Sequence, residues 1–130
     1  MEFREPQAIY LQIAEYVCEK ILLKIWTTDQ KIPSVRELAV DLEVNPNTVM
    51  RAYEFLQNRE IIYNKRGIGF FIKNDAMNNV LAFRKQEFLE KELQVFLKNI
   101  HLLKMDMQDI SNYYEEFIKN NYKNNSNDKI

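Results

Sequence analysis

Apolar residues recur at every fourth position near the N-terminus. Between residues 7 and 25 this spacing links five aliphatic residues: Ile9, Ile13, Val17, Ile21 and Ile25. Residues four apart lie on one face of an α-helix, and Ala14, Cys18 and Leu22 widen the same apolar stripe. The spacing therefore predicts a first helix over residues 7–25 with this stripe buried.

A second helix is predicted from its capping signal. Ser34 stands three residues before Glu37, which is the spacing of a capping box. In that motif the serine side chain accepts the N–H of the glutamate, and the glutamate side chain accepts the N–H of the serine. The helix is expected to start at about Val35. Its inward residues are expected to be Leu38, Ala39 and Leu42.

A third helix is predicted after an interruption at Val44 and Asn45. Asn45 is a good N-cap residue, and Pro46 suits the first helical position, where its missing N–H is not needed. We expect this helix to run to about Asn58. Its buried residues are predicted to be Val49, Ala52, Tyr53 and Leu56.

The pattern then changes to two short runs of β-prone residues. Residues 61–63 and 70–72 form these runs, and a basic, glycine-containing segment lies between them at residues 64–69. This arrangement predicts a β-hairpin. Two helices joined by a short turn and followed by a hairpin form a winged helix-turn-helix, in which the second helix of the pair enters the major groove of DNA.

The chain is again expected to be helical from Asp75. Its apolar residues alternate spacings of four and three, a period of 3.5 that is typical of helices packed on each other. These nine residues, which we call the apolar seam, are Leu89, Leu93, Phe96, Ile100, Leu103, Met107, Ile110, Tyr114 and Phe117. Asp106 and Asp109 predict that the helix stops and restarts near residues 104–108, so that two helices carry the seam.

These patterns divide the chain into three parts. Residues 1–75 are expected to form the winged helix-turn-helix and residues 76–122 a helical dimerisation region, whereas the polar, aperiodic residues 123–130 are expected to be disordered. A helical region of this size cannot bury the apolar seam against itself, so a second copy of the chain is expected to cover it in a homodimer. The predicted fold class is mostly α with one small hairpin.

Composition and charge narrow the possible functions. With 46% hydrophobic and 28% charged residues, the sequence is typical of a soluble, helix-rich protein. It has no recognisable signal peptide and no run of roughly 18 apolar residues, which favours the cytoplasm. The net charge of −1 does not by itself indicate nucleic-acid binding. Locally, however, residues 51–73 carry five basic residues and two acidic ones.

Few residues suggest catalytic or metal chemistry. Cys18 is the single cysteine and His101 the single histidine, so neither a disulfide within the chain nor a clustered zinc site is expected. No nucleophile and base are grouped, and we expect no enzyme activity, no metal and no cofactor.

Tyr53, Trp26 and the aromatic residues of the C-terminal helices are expected in the core rather than stacked on nucleic-acid bases.

Two segments resemble the GntR family of bacterial transcription regulators. They are IPSVRELAVDLEVNPNTVMRAYEFL, residues 32–56, and RGIGFFI, residues 66–72. The string NPNTVMRAYEFL, together with the short C-terminal part, is most similar to the YtrA-like subfamily. The resemblance implies a DNA-binding regulator, expected to be a repressor that binds a palindromic operator as a homodimer. It leaves the operator sequence and any small-molecule effector open.

The positions that would meet DNA, according to the resemblance, fall on three elements. On the second helix they are Ser34 and Arg36. On the third, or recognition, helix they are Asn45, Asn47, Thr48 and Arg51. On the hairpin, or wing, Gly67 and Gly69 would allow approach to the minor groove beside the basic tip formed by Lys65 and Arg66.

The chain departs from the family pattern at three positions. The family often has glycine where Glu43 and Glu60 stand, and arginine directly after the Thr-Val pair, where Met50 stands. Arg51 lies one position later, so the base that it would contact does not transfer from larger relatives.

Two other functions are compatible with the sequence alone. The near-neutral charge would suit a winged helix that only binds other proteins, although Arg51, Lys65 and Arg66 argue against this function. A winged helix that binds RNA would need the same local basic residues as one that binds DNA.

Overall fold

The computed structural model describes residues 7–122, and residues 1–6 and the predicted tail at residues 123–130 lie outside the described part. The described residues form two compact units, residues 7–85 and residues 86–122. The elements in chain order are α1 (Ile9–Leu22), α2 (Val35–Leu42), α3 (Pro46–Asn58), β1 (Ile62–Lys65), β2 (Gly69–Ile72), α4 (Ala76–Glu87), a π-helical segment (Phe88–Glu92), α5 (Leu93–Leu102) and α6 (Met107–Asn121). The predicted fold, mostly helical with one hairpin, is confirmed.

The first unit is built around the predicted helices. α2 starts at Val35 with both hydrogen bonds of its capping box formed, and α3 starts at Pro46 with Asn45 as N-cap. Every predicted inward residue of these two helices is buried. α1 is shorter than predicted, and Ile9 and Ile25 are about half exposed rather than buried. Ile9 lies in the first turn of α1 and Ile25 lies beyond its last turn, so neither reaches the core.

The predicted hairpin is joined by a third extended segment. β1 and β2 pair from Ile62 with Ile72 to Lys65 with Gly69, so residues 66–68 alone form the turn. In addition, Lys31 pairs with Phe71 on the other edge of β2. This segment was not predicted, because residues 26–32 show neither helical spacing nor alternation.

Tyr53 connects α3 to the segment before α2 and to the hairpin. Its side chain is fully buried, as predicted, and its hydroxyl donates a hydrogen bond to the carbonyl oxygen of Pro33 at 2.6 Å. Its ring packs edge-on against the ring of Phe70 on β2, with 4.8 Å between centroids. Burial raises the pKa of Tyr53 well above its ordinary value, so the hydroxyl keeps the proton that it donates.

The boundary between the two units lies inside α4. The sequence suggested a division after residue 75, whereas the contacts divide the chain after residue 85. Ala76 and Val80 of α4 are buried in the first core, and the ring of Phe83 lies 5.5 Å from that of Phe55 on α3. The first turns of α4 therefore complete the core of the winged helix-turn-helix.

Four helices end on a charged residue in the left-handed conformation, where glycine is usual. These residues are Lys24, Glu43, Glu60 and Lys104, with φ between 56° and 62°. The next residue is apolar in each case, and its N–H donates to the carbonyl five residues back, as in a Schellman motif. At Glu43 and Glu60 the resemblance implies glycine, and the backbone keeps the left-handed conformation that glycine would adopt. For a residue with a β-carbon this conformation costs about 1–2 kcal/mol.

The second unit has no buried side chain among residues 86–122. α5 and α6 are separated at residues 103–106, and Asp106 and Asp109 form a capping box there, which confirms the predicted restart. The π-helical segment was not predicted. Phe96, Tyr114 and Phe117, expected in a core, are between 41% and 64% exposed in the chain. Within residues 7–122, no helix has both the length and the apolar character of a membrane span.

Tyr53→Phe is expected to lower the free energy of unfolding by about 1 kcal/mol, because it leaves the Pro33 carbonyl unpaired while keeping the ring packing. Urea denaturation followed by circular dichroism measures the change. Tyr63→Phe is the matched control, since its hydroxyl donates to Asp29 at 3.0 Å on the surface, and a smaller loss is expected. Equal losses in the two variants would contradict this account of Tyr53.

Glu43→Gly is expected to raise the free energy of unfolding by about 0.5–1 kcal/mol, because glycine adopts a positive φ without side-chain strain. Part of the relieved strain is offset by the greater chain entropy of glycine in the unfolded state. Glu43→Ala removes the charge but keeps the β-carbon, and should give no such gain in the same denaturation experiment. A gain of the same size in both variants would assign the effect to charge instead.

Candidate nucleic-acid interface

The first turns of α3 present a row of polar side chains to solvent. Asn45, Asn47 and Arg51 are exposed and Thr48 is half-buried. Together with Ala8, Ile9 and Tyr10 at the start of α1, these four residues line one surface depression. The structure therefore brings the four predicted residues of the recognition helix together. Amide and guanidinium groups in such a row match the donors and acceptors of base edges in the major groove.

Two of the predicted contact residues also cap helices. The side-chain oxygen of Asn45 accepts the N–H of Asn47 at 2.8 Å, which leaves the amide N–H groups of Asn45 for other partners. The hydroxyl of Ser34 accepts the N–H of Glu37 at 3.1 Å, so its own hydrogen remains available. Both side chains can thus cap a helix and still donate a hydrogen bond outward.

The capping box of α2 depends on an ionised glutamate. The backbone N–H of Ser34 donates to the carboxylate of Glu37 at 2.8 Å, and this hydrogen bond holds the pKa of Glu37 below its ordinary value. A carboxyl group with a lowered folded-state pKa stabilises the fold at neutral pH. That contribution is lost as the pH falls through the lowered pKa.

The two arginines of the predicted surface differ in their surroundings. Arg36 is exposed on α2, and its side chain has no ion-pair or hydrogen-bond partner among residues 7–122. The guanidinium carbon of Arg51, by contrast, lies 4.0 Å from the centroid of the Tyr10 ring. This contact between α1 and α3 was not predicted, because nothing in the sequence pairs the two positions.

The wing carries the predicted basic tip and both predicted glycines. Lys65 and Arg66 are exposed, and the ammonium group of Lys65 lies 4.8 Å from the ring centroid of Phe71. Gly67 has a φ of +79° and open space around it, so only the turn requires glycine there. Gly69 has a φ of +145°, a conformation essentially restricted to glycine.

Lys31 adds a cation beside the wing that the sequence did not indicate. It is exposed, and its side-chain Cε lies 2.9 Å from the point where a β-carbon on residue 69 would stand. It is also close enough to Glu37 to help lower the pKa of that carboxyl group. Lys31 belongs to an aperiodic segment, so only the pairing of this segment with β2 places it next to the wing.

Two of the five basic residues within residues 51–73 make contacts away from the predicted DNA-binding surface. Lys73 forms an ion pair with Glu60. The guanidinium group of Arg59, at the end of α3, lies over the rings of Phe55 and Phe83 at 4.4 Å and 4.6 Å. Arg51, Lys65 and Arg66 are the remaining three, and they lie at the recognition helix and the wing.

The side chains that could bind a metal, and the single cysteine, were also located in the described residues. No group of three or more potential metal-ligating side chains occurs within residues 7–122. Cys18 is fully buried in the core, as predicted, and burial raises the pKa of its thiol to about 12. A thiol with such a pKa is a poor nucleophile at neutral pH.

Comparison with known proteins gives one consistent family. The model of the bacterial regulatory proteins of the gntR family matches residues 9–72. The uncharacterized HTH-type transcriptional regulator YhcF of Bacillus subtilis is 31% identical over 84% of this chain and 88% of its own. The HTH-type transcriptional repressor YtrA of the same organism is 32% identical over 87% of this chain and 86% of its own.

A solved structure agrees with these relatives. A GntR-family transcriptional regulator from Bacteroides thetaiotaomicron is 47% identical and superposes with a TM-score of 0.68. The match covers 87% of this chain and 98% of that one. The chain therefore belongs to the GntR family of transcriptional regulators and carries the winged helix-turn-helix DNA-binding domain of that family.

Proposed function

We propose that this regulator binds a palindromic DNA operator as a homodimer and acts as a repressor. The observation that carries the proposal is the exposed row of Asn45, Asn47, Thr48 and Arg51 at the start of α3. The repressor role is supported by the similarity to YtrA, which is named a repressor. The DNA-binding role falls to the first unit and dimerisation to the second.

Base recognition is assigned to the N-terminal turns of α3. The planar fork of Arg51 suits the O6 and N7 acceptors of guanine, and the amide of Asn47 suits the N6 and N7 edge of adenine. Thr48 and Asn45 contribute short polar groups beside them. Because Asn47 and Arg51 lie four residues apart, they face the same side of the helix and can meet neighbouring base pairs.

Phosphate contacts are assigned to α2 and the wing. Ser34 and Arg36 lie at the start of α2, where unpaired N–H groups and the helix dipole favour an anion. Lys65 and Arg66 at the tip of the wing, with Lys31 beside it, add positive charge next to the backbone of the duplex. Such contacts fix the orientation of the protein on DNA without reading sequence. Gly67 and Gly69 keep the tip narrow enough for the minor groove.

The homodimer is supported by the second unit. In the second unit six of the nine residues of the apolar seam are exposed, among them Leu103 at 69%, Met107 at 63% and Tyr114 at 64%. Leu93, Ile100 and Ile110 are half-buried. Several exposed apolar side chains in one helical unit favour a protein interface there. A twofold-related copy of the same surface is the commonest partner in soluble oligomers. Two linked DNA-binding units would then occupy the two halves of a palindrome.

The experiment that tests the proposal is selection of bound DNA fragments, with purified protein, from the genome that encodes the chain. We expect enrichment of a small set of duplexes that share a palindrome. Competition with structured RNA should leave the bound duplex in place. Absence of any enriched sequence, or preference for the RNA, would contradict the proposal.

Arg51→Ala removes an assigned base contact and is expected to weaken binding to the selected duplex by about 1–3 kcal/mol. Arg36→Ala removes an assigned phosphate contact and is expected to weaken binding to all duplexes alike. Neither variant should lose its fold. Fluorescence anisotropy and thermal unfolding measure the two properties. Arg59→Ala is the matched control, because its guanidinium group packs on Phe55 and Phe83 at the other end of α3. The control should keep duplex affinity. Unchanged affinity in both test variants would contradict the assigned surface.

The double variant Lys65→Ala/Arg66→Ala should weaken binding to all duplexes to a similar degree. The slope of log K against log salt should become shallower by up to about 0.9 for each phosphate that the variant no longer neutralises. Lys73→Ala serves as the control, because its ammonium group already pairs with Glu60. A slope that stays the same or steepens in the double variant would show that these two side chains do not meet phosphate.

Phe96→Asp and Ile100→Asp are expected to convert the dimer to a monomer, because each would bury an unpaired charge in the interface. Affinity for the palindrome should fall, since two half-sites would no longer be bound by one linked pair. Light scattering measures the mass. Val95→Asp is the control, because Val95 lies on α5 but is not one of the nine residues of the apolar seam. A wild-type mass equal to one chain at micromolar concentration would overturn the homodimer.

A further inference from the structure

The contact between Arg51 and Tyr10 stands out among the cation and ring contacts of the molecule. Within residues 7–122, the 4.0 Å from the guanidinium carbon of Arg51 to the ring centroid of Tyr10 is the shortest such distance. Tyr10 belongs to α1, outside the helix-turn-helix itself. Tyr10 nevertheless lines the same depression as the polar row of α3.

The ring of Tyr10 is itself held in place. Tyr10 is half-buried against the first core, and its ring packs edge-on against Phe55 of α3, with 6.2 Å between centroids. Its hydroxyl makes no hydrogen bond within residues 7–122. The ring face, rather than the hydroxyl, is therefore the part of Tyr10 that acts on Arg51.

A guanidinium group that lies over a ring keeps its hydrogen-bonding edge free. The five N–H groups of arginine lie in the guanidinium plane, and stacking occupies the faces of that plane. With its guanidinium carbon over the ring of Tyr10, Arg51 can lie parallel to the ring and still offer two N–H groups to the O6 and N7 atoms of guanine. A long side chain that is already held in one orientation also loses less conformational entropy when it binds.

We infer that Tyr10 is a positioning residue for DNA recognition, because its ring holds the guanidinium group of Arg51 in the orientation that contacts a base edge. This inference rests on the proposed function, in which Arg51 meets the major groove. The role differs from that of a phosphate contact, since Tyr10 acts through Arg51. Within residues 7–122, Arg36 makes no contact with an aromatic ring and so has no comparable support.

The test is a double-mutant cycle on binding to the selected duplex. Tyr10→Phe keeps the ring face and should leave affinity unchanged. Tyr10→Leu keeps an apolar side chain but removes the ring, and should weaken binding about two- to fivefold, as expected for an exposed cation–π contact. In the Arg51→Ala background, Tyr10→Leu should cause no further loss, because the group that the ring holds is absent.

A second readout separates positioning from stability. On duplexes with single base-pair changes, Tyr10→Leu should relax the preference at the same base pair as Arg51→Ala and at no other. Tyr16→Leu is the matched control, because Tyr16 is a half-buried tyrosine of α1 whose ring lies 5.2 Å from the ammonium group of Lys20 instead. This control should keep both affinity and preference. Thermal unfolding is measured for every variant.

The outcomes distinguish this inference from the function on which it rests. Additive losses for Tyr10→Leu and Arg51→Ala, or a preference relaxed at all positions alike, would overturn the role of Tyr10 alone. Tighter binding of Tyr10→Leu would also overturn it, because the ring would then withhold Arg51 from DNA. No loss in Arg51→Ala would overturn both the role of Tyr10 and the assignment of Arg51 to a base edge.

Discussion

The position of the recognition helix depends on the buried side chain of Tyr53. Its hydroxyl donates to the carbonyl of Pro33, directly before the capping box of α2, and its ring packs on Phe70 of the wing. One side chain therefore connects the start of α2, the middle of α3 and β2. Because the carbonyl is satisfied inside the fold, the segment before α2 can run close to the wing without an unpaired buried acceptor. The relative placement of helix and wing follows from this contact.

Aromatic rings also determine which cations remain available for DNA. Arg59 lies over Phe55 and Phe83, so its guanidinium group helps to join α3 to α4 rather than facing a ligand. Arg51 lies over Tyr10 in the second turn of the same helix, where it lines the surface depression. Both arginines thus lie over aromatic rings. At the end of α3 the contact gives Arg59 a structural role, whereas Arg51, in the second turn, is proposed to contact bases.

At four helix ends, this glycine-poor chain adopts the left-handed conformation without glycine. With 2 glycines in 130 residues, the chain places lysine or glutamate in the left-handed position after four helices. The apolar residue that follows completes a Schellman motif and satisfies a carbonyl that the helix end would leave unpaired. The strain per residue is comparable to the free energy gained by burying a side chain such as Ile61 at one of these turns, so the conformation can persist without glycine.

The sequence by itself determined the features that depend on local physics. Capping signals at Ser34 and Asn45 predicted the starts of α2 and α3, and helical spacing predicted their buried faces. The polar row on α3 lies on the face left exposed. The tertiary structure decided what depends on distant residues: the pairing of Lys31 with β2, the ring of Tyr10 against Arg51, and the ion pair that removes Lys73 from the basic surface. These contacts join residues that are 13 to 41 positions apart, so the spacing of residues along the sequence does not predict them. Only the packing of the core brings such residues together.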